Sequence, residues 1–364
     1  MKRLLLFLLF ASYSLFQIFA KPITYIWDMN ELVALASKPT SQGYKALVTK
    51  ADGIIKQKPV AVTDKEICLS GNKHNYESLS IYWWPDPKNP GGPYIARDGE
   101  NNPEYKKYDY PRLLKLKDNL VTCSKAFFLT GDPRYYDFFC LQLDTWFINP
   151  ETRMVPNFGY CQFIPGRNNG RGNPQGMADT YNFNDMLESI RLVNAVRNIG
   201  KGRMKSLKNW FSDFAYWMQT SDYGKKAYAF KNGQVLTFDT TIYDIFIFTG
   251  KKSARKSILK AFPEKRIKAQ IADDGKMPEA LKRTKALSYT VSDITRLLDF
   301  ASLAKADGKR LSKESIDRIQ LALDYITPLT KNRDSFPYSE IGNWDDQVKN
   351  LEKLNKRFKA LSNQ

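Results

Sequence analysis

Apolar helical segments in this chain end at Thr-Gly and restart at once. FFLTGDPRYYDFF (127–139) and FIFTGKKSARKSIL (246–259) share that plan, and FASLAKADGKRLSKESI (300–316) repeats it more loosely around Gly308. A glycine just past a helix end suits the left-handed conformation that closes the last turn, and so short a turn makes the flanking helices antiparallel neighbours. From about residue 109 onward apolar positions recur at helical spacing, as in Ile294, Leu297, Leu298 and Ala301, or Ile316, Ile319 and Leu323, while alternating strand patterns are scarce. Repeated helical hairpins in one long chain predict an all-α fold, a toroid or solenoid of paired helices.

Two segments interrupt the pattern, residues 70–108 and 149–175. Both are rich in Gly, Pro, Asn and Tyr, too aromatic for disorder and too long for simple connections, so they are expected to form the walls or lids of a cleft. The tail, NWDDQVKNLEKLNKRF (343–358), reads as one last helix with a solvated charged face. No stretch has linker composition, so residues 21–364 are expected to form one domain.

Fifty-six Lys and Arg against thirty-eight Asp and Glu give a formal charge of +18, which calls for an anionic partner. Residues 1–20 begin with Lys2 and Arg3, continue through an apolar core too short for a comfortable membrane span, and end in Ala20 before Lys21-Pro22. They read as a secretory signal, with an uncleaved anchor as the alternative. Export to the periplasm or beyond disfavours nucleic acid as the partner and favours an acidic polysaccharide; no stable membrane insertion is expected once the leader is gone.

His74 is the single histidine, which excludes any metal site built on two or three imidazoles. Neighbouring acids such as Asp273-Asp274 and Asp345-Asp346 do not face one site from a helix, so no metal and no cofactor are expected. Cys68, Cys123, Cys140 and Cys161 lack CxxC spacing. Cys123 and Cys140 read as helix-face core residues, and a disulfide among the four is left open.

The loop GNKHNYESLSIYWWPDPKNPGGPYIARDGENNPE (71–104) resembles the signature loop of the alginate lyase-like family of bacterial polysaccharide lyases, and TRMVPNFGYCQFIPGRNNGRG (152–172), TSDYG (220–224) and RTKALSY (283–289) follow in that family's order. The resemblance spans roughly residues 60–350. It implies an incomplete α/α toroid of antiparallel helical hairpins with long cleft-lining loops, and cleavage of uronate polymers by β-elimination. One motif departs. Where relatives usually carry Asn-Asn-His-Gly-Thr-Trp-Tyr-Asp, this chain has Asn232-Gly233-Gln234-Val235-Leu236-Thr237-Phe238-Asp239, with Gln234 at the place of the catalytic histidine and Gly233 at that of the second asparagine.

β-Elimination at a 4-linked uronate needs the C6 carboxylate neutralised, a base for the C5 proton and an acid for the O4 leaving group. Arg283 and Tyr289 match the family's arginine and tyrosine. Six residues apart, they share a face only if no continuous helix joins them. A tyrosine, with an ordinary pKa near ~10, is a poor base unless a cation such as Arg283 favours its phenolate. Gln234 can donate a hydrogen bond to the carboxylate but cannot take its proton. The expected catalytic set is therefore Tyr289 as base and then acid, with Arg283 and Gln234 on the carboxylate, acting by syn elimination. His74, Tyr82, Trp83, Trp84, Asn157, Tyr160, Gln162, Arg171 and Asn232 are expected to contact substrate, and Arg153 lies among them on the second loop. For each a plainer role stands beside that one: loop anchoring for the aromatics and His74, bracing for Arg153 and Arg171, a tight Asn-Gly turn for Asn232.

Three classes of function stay open on these residues. The first is a lyase for alginate, polymannuronate or a glucuronate-containing chain. The second is a catalytically inactive glycan-binding relative, favoured by the altered motif. The third is a basic surface-binding protein that uses no cleft.

Overall fold

The computed structural model describes residues 23–362. The leader expected over 1–20 lies outside the described residues. After two short helices, α1 (Met29–Ala36) and α2 (Gln42–Ile54), come the hairpin α3 (Tyr110–Thr130) and α4 (Pro133–Leu143), then α5 (Asn182–Val196), α6 (Lys201–Thr220) and α7 (Asp222–Tyr228). The second hairpin is α8 (Gln234–Thr249) and α9 (Lys252–Phe262). It is followed by α10 (Pro278–Leu281), α11 (Ala286–Ala306), α12 (Lys313–Leu329) and α13 (Trp344–Ser362). The expected tail helix is α13.

Both Thr-Gly turns behave as their sequence demands. Gly131 and Gly250 take φ of 69° and 80°, and the Gly131 N–H closes α3 on Phe127 O at 2.8 Å. One residue later Asp132 starts the next helix, its Oδ1 accepting from Arg134 N at 3.0 Å. Helices α3, α5, α8, α11 and α13 lie side by side in that order, with α4, α6, α9 and α12 packed on their backs. This is the incomplete α/α toroid.

One apolar cluster fills the first half of the ring, with Phe183, Trp210, Phe211 and Phe214 stacked edge to face between α5 and α6. A second fills the half from α8 to α13. Helix α8 divides them and is buried from Val235 through Phe246, so its polar side chains need internal partners. Asp244 pairs with Arg191 and accepts from Asn184 Nδ2 at 3.0 Å; Asp239 holds Arg266 Nε at 2.6 Å. Arg191 also reaches Glu188 at 2.6 Å, and Glu188 Oε2 accepts the backbone N–H groups of Tyr25, Ile26 and Trp27 at 2.8, 2.9 and 3.1 Å. The segment Tyr25-Ile26-Trp27 is thereby fixed to α5.

The two long segments are more ordered than their sequence suggested. Strand β1 (Glu77–Leu79) from the first pairs in parallel with β4 (Tyr160–Phe163) from the second, while β2 (Trp83–Trp84) and β3 (Ile95–Ala96) form an antiparallel pair inside the first. Joined in this way, the two segments form one unit. Cys123 and Cys140 are buried helix-face residues, and all four cysteines are free thiols. No helix among the described residues is long and apolar enough to cross a membrane.

Candidate active site

Arg283 and Thr284 occupy the turn between α10 and α11, and Tyr289 stands in the first turn of α11. Because the helix begins only at Ala286, the six-residue separation does not force the two apart. Arg283 Nη2 donates to Tyr289 Oη at 2.9 Å, and its guanidinium carbon lies 4.1 Å from the centre of the tyrosine ring. Tyr289 Oη in turn donates to Tyr82 Oη at 3.2 Å, across from the first long loop.

Asp98 fixes the arginine. Both its carboxylate oxygens accept from Arg283 Nε at 3.1 Å, a further bond joins Asp98 to Arg283 Nη2, and Thr284 N and Oγ1 donate to it at 3.1 and 2.9 Å. These donors, Arg283 foremost, hold the Asp98 carboxyl down at about 2. The loop approaches so closely that a Cβ at Gly99 would stand 2.5 Å from Thr284 Oγ1, so residue 99 has to be glycine for Asp98 to dock.

The protonation expected for Tyr289 is corrected here. Burial, and then the hydrogen bond with Tyr82, push its phenol well above the ordinary range; Arg283 pulls the other way and does not prevail. The resting site therefore presents a neutral tyrosine, oriented by an arginine whose charge is already shared with Asp98.

The segment Asn232-Gly233-Gln234 leads into α8. Asn232 Oδ1 accepts the Gln234 N–H at 3.1 Å and Asn232 O accepts the Val235 N–H at 3.1 Å, so the asparagine forms the tight turn into the helix that its Asn-Gly context suggested. Gln234 Oε1 is buried without a hydrogen-bond partner among the described residues. Gly233 faces α11, where a Cβ added to it would fall 1.7 Å from Asp293 Oδ1. Asp293 sits on α11 one turn beyond Tyr289, which draws the two ends of the site onto one helix.

Several expected contact residues are paired with cations. Arg167 lies 4.8 Å over Trp83, Arg97 5.1 Å over Trp84, Arg171 4.7 Å over Tyr160 and Lys285 5.5 Å over Tyr82. Others are engaged in building the loops. His74 Nδ1 bonds Arg153 O at 2.7 Å, and Val155 N donates back to His74 O at 3.0 Å, stapling the two long segments. Asn157 Oδ1 takes the Gly159 N–H at 3.0 Å, and Gln162 Nε2 donates to buried Asp179 at 2.9 Å. No hydrogen bond or ring contact joins His74, Asn157 or Gln162 to Tyr289, Arg283 or Gln234 among the described residues.

Sequence reasoning missed Asp98 and Asp293. Asp98 was within reach, since it stands in the Arg-Asp-Gly of the signature loop. Asp293 left no local trace, because only the fold places it against residue 233. Among the described residues no group of three or more His, Cys, Asp or Glu is arranged to hold a metal ion.

The Alginate lyase family profile matches residues 61–336. Among solved structures, an alginate lyase from Bacteroides ovatus is 33% identical with a TM-score of 0.88, over 94% of this chain and 92% of that one. Alginate lyase A1-III complexed with tetrasaccharide has a TM-score of 0.51 at 14% identity, over 87% of this chain and 80% of its own, a likeness of fold alone. Among curated proteins no sequence matches significantly. With more than half of its length inside that profile, the chain belongs to the alginate lyase family of polysaccharide lyases.

Proposed function

We propose that this chain acts as a single-domain exported lyase that cleaves an acidic polysaccharide by syn β-elimination, its substrate alginate, polymannuronate or a glucuronate-containing polymer. The observation that carries the reading is the run from Asp98 through Arg283 and Tyr289 to Tyr82, with Arg283 Nη2 2.9 Å and Tyr82 Oη 3.2 Å from the Tyr289 hydroxyl. A donor held so firmly needs no reorganisation at the moment of reaction.

In mannuronate and glucuronate the C5 proton and the O4 group leave from one side of the ring, so one hydroxyl can serve both. Tyr289 Oη accepts the C5 proton as its own proton passes to O4. The C5–H electron pair becomes the C4–C5 double bond, the C4–O4 bond breaks, and the tyrosine ends neutral as it began. This relay uses the protonated phenol that burial enforces and requires no phenolate. The role assigned to Gln234 is to direct its amide at the substrate carboxylate, and Arg283 orients Tyr289 while adding positive potential. Trp83, Trp84 and Tyr160 each have one face covered by a cation and offer the other to a sugar ring.

Gly233 and Gln234, in place of the family's second asparagine and histidine, favour a second reading, a glycan-binding protein without chemistry. Incubation with polymannuronate, polyguluronate and glucuronan, followed by the absorbance of unsaturated uronate, separates the two. Product from polymannuronate or glucuronan that falls at least about 10³-fold in Tyr289→Phe supports the lyase. Binding without product from any of the three supports the second reading.

A further inference from the structure

Asp293 is 7% exposed, and its carboxylate accepts no hydrogen bond from any described residue. That sets it apart from its neighbours. Asp239 and Asp244 on α8 and Asp299 on α11 are equally buried, and each holds an arginine, Arg266, Arg191 and Arg357 respectively. A buried polar group without a protein partner calls for an explanation. Here a second one adjoins it, since buried Gln234 Oε1 also lacks a partner while Gly233, between Asn232 and Gln234, meets the Asp293 carboxylate face on.

The charged and titratable groups around Asp293 are already committed. From its own helix, Arg296 lies with its guanidinium carbon 3.2 Å from the centre of the Tyr181 ring, and its Nε donates to Thr237 Oγ1 at 3.3 Å. From the turn before α11, Arg283 is shared between Asp98 and Tyr289. Both arginines act on Asp293 through space only, Tyr289 stands one turn away, and the first turn of α8 brings no titratable side chain.

We propose that Asp293 is a catalytic residue that, as a neutral carboxylic acid, donates a hydrogen bond to the C6 carboxylate of the uronate undergoing elimination, from the space a side chain at position 233 would otherwise fill. This rests on the lyase reading above. A protonated carboxyl has the shape of a carboxamide, with one oxygen accepting and the other group donating, so it supplies what an asparagine at 233 would supply from the opposite helix. Burial holds the Asp293 carboxyl up to about 7, and a uronate beside it raises it further, because two adjacent carboxylates cannot both ionise and share one proton instead. As the C5 proton moves to Tyr289, negative charge builds on the uronate oxygens and the hydrogen bond from Asp293 strengthens. The proton stays on Asp293 throughout, so the elimination balances without it.

The test is kcat/KM on polymannuronate between pH 5.5 and 9 for the wild type, Asp293→Asn, Asp293→Ala and Gly233→Ala, with thermal melting to confirm folding. The wild type is expected to lose activity with a one-proton slope as pH rises past about 7. Asp293→Asn, the permanent analogue of the neutral acid, is expected to stay within about tenfold of wild type at pH 6 and to show no alkaline fall. Asp293→Ala should lose about a hundredfold, the scale of one oxyanion-type donor, and Gly233→Ala, whose methyl group displaces the carboxyl, about tenfold. An Asp293→Asn protein that keeps the alkaline fall, or an Asp293→Ala protein as active as wild type, overturns the proposal and leaves the lyase reading intact. An inactive Asp293→Asn beside a wild type whose activity rises with pH makes Asp293 a base and overturns it too. No product from the wild type overturns both.

Discussion

The Arg283 end of the site and the Gln234 end are built on opposite plans. At the first, every polar group is engaged before substrate arrives: Asp98 takes Arg283 and Thr284, Arg283 takes Tyr289, and Tyr289 takes Tyr82. At the second, the buried Asp293 carboxyl and the buried Oε1 of half-exposed Gln234 have no hydrogen-bond partner among the described residues. The full end fixes the Tyr289 hydroxyl in advance, the kind of positioning by which a site accelerates a reaction. The other end leaves polar groups without a protein partner, the arrangement in which a bound ligand's hydrogen bonds count most. One half of the site is thus organised by internal hydrogen bonds, and the other is left with free acceptors.

The largest break in this contrast should come from Asp98→Ala, which leaves Arg283 without its anchor. We expect kcat to fall about a hundredfold with KM changed far less, as steady-state kinetics will show, because the loss lies in orientation. Gln234→Ala strikes the other end and should cost about tenfold in kcat/KM, the scale of one hydrogen bond to a charged group. Trp83→Ala should act on KM alone, by several-fold, through lost ring contact with sugar.

Stability against pH sharpens the contrast further, since the ends have opposite signs. Burial lifts the folded Asp293 carboxyl from the ordinary 3.8 to about 7, so its contribution is fully present below about pH 4 and is lost as pH rises through about 7. Melting curves of Asp293→Asn should therefore gain on the wild type from about pH 4 to about pH 7 and run parallel to it above that. Asp98 has a folded pKa below 3.8, so its contribution is present above that value and lost as pH falls through about 2. Asp98 is partly exposed, so Asp98→Asn should shift melting by only a degree or two at pH 7, and by less near pH 2.

Much of this was legible in the sequence, for local reasons. Thr130-Gly131 and Thr249-Gly250 mark helix ends through backbone conformation, and RTKALSY places an arginine and a tyrosine on either side of a helix start. What could not be read depends on contacts between distant segments. The parallel pairing of β1 with β4 joins residues some eighty positions apart, and short strands within aromatic loops leave no alternation long enough to detect. The state of Tyr289 follows from burial, which no spacing encodes. His74, the sole imidazole, drew notice by its rarity, yet it serves as a staple between loops.

The fit between Gly233 and Asp293 also constrains how this protein can change. A side chain restored at 233 would meet the Asp293 oxygen at 1.7 Å, so the single step Gly233→Asn is opposed while Asp293 remains. Shortening Asp293 first empties the space before anything replaces it. Each change is opposed while the other residue stays, so positions 233 and 293 behave as a lock and key cut from one sequence: a substitution at either is accommodated only with a matching one across the gap between the helices.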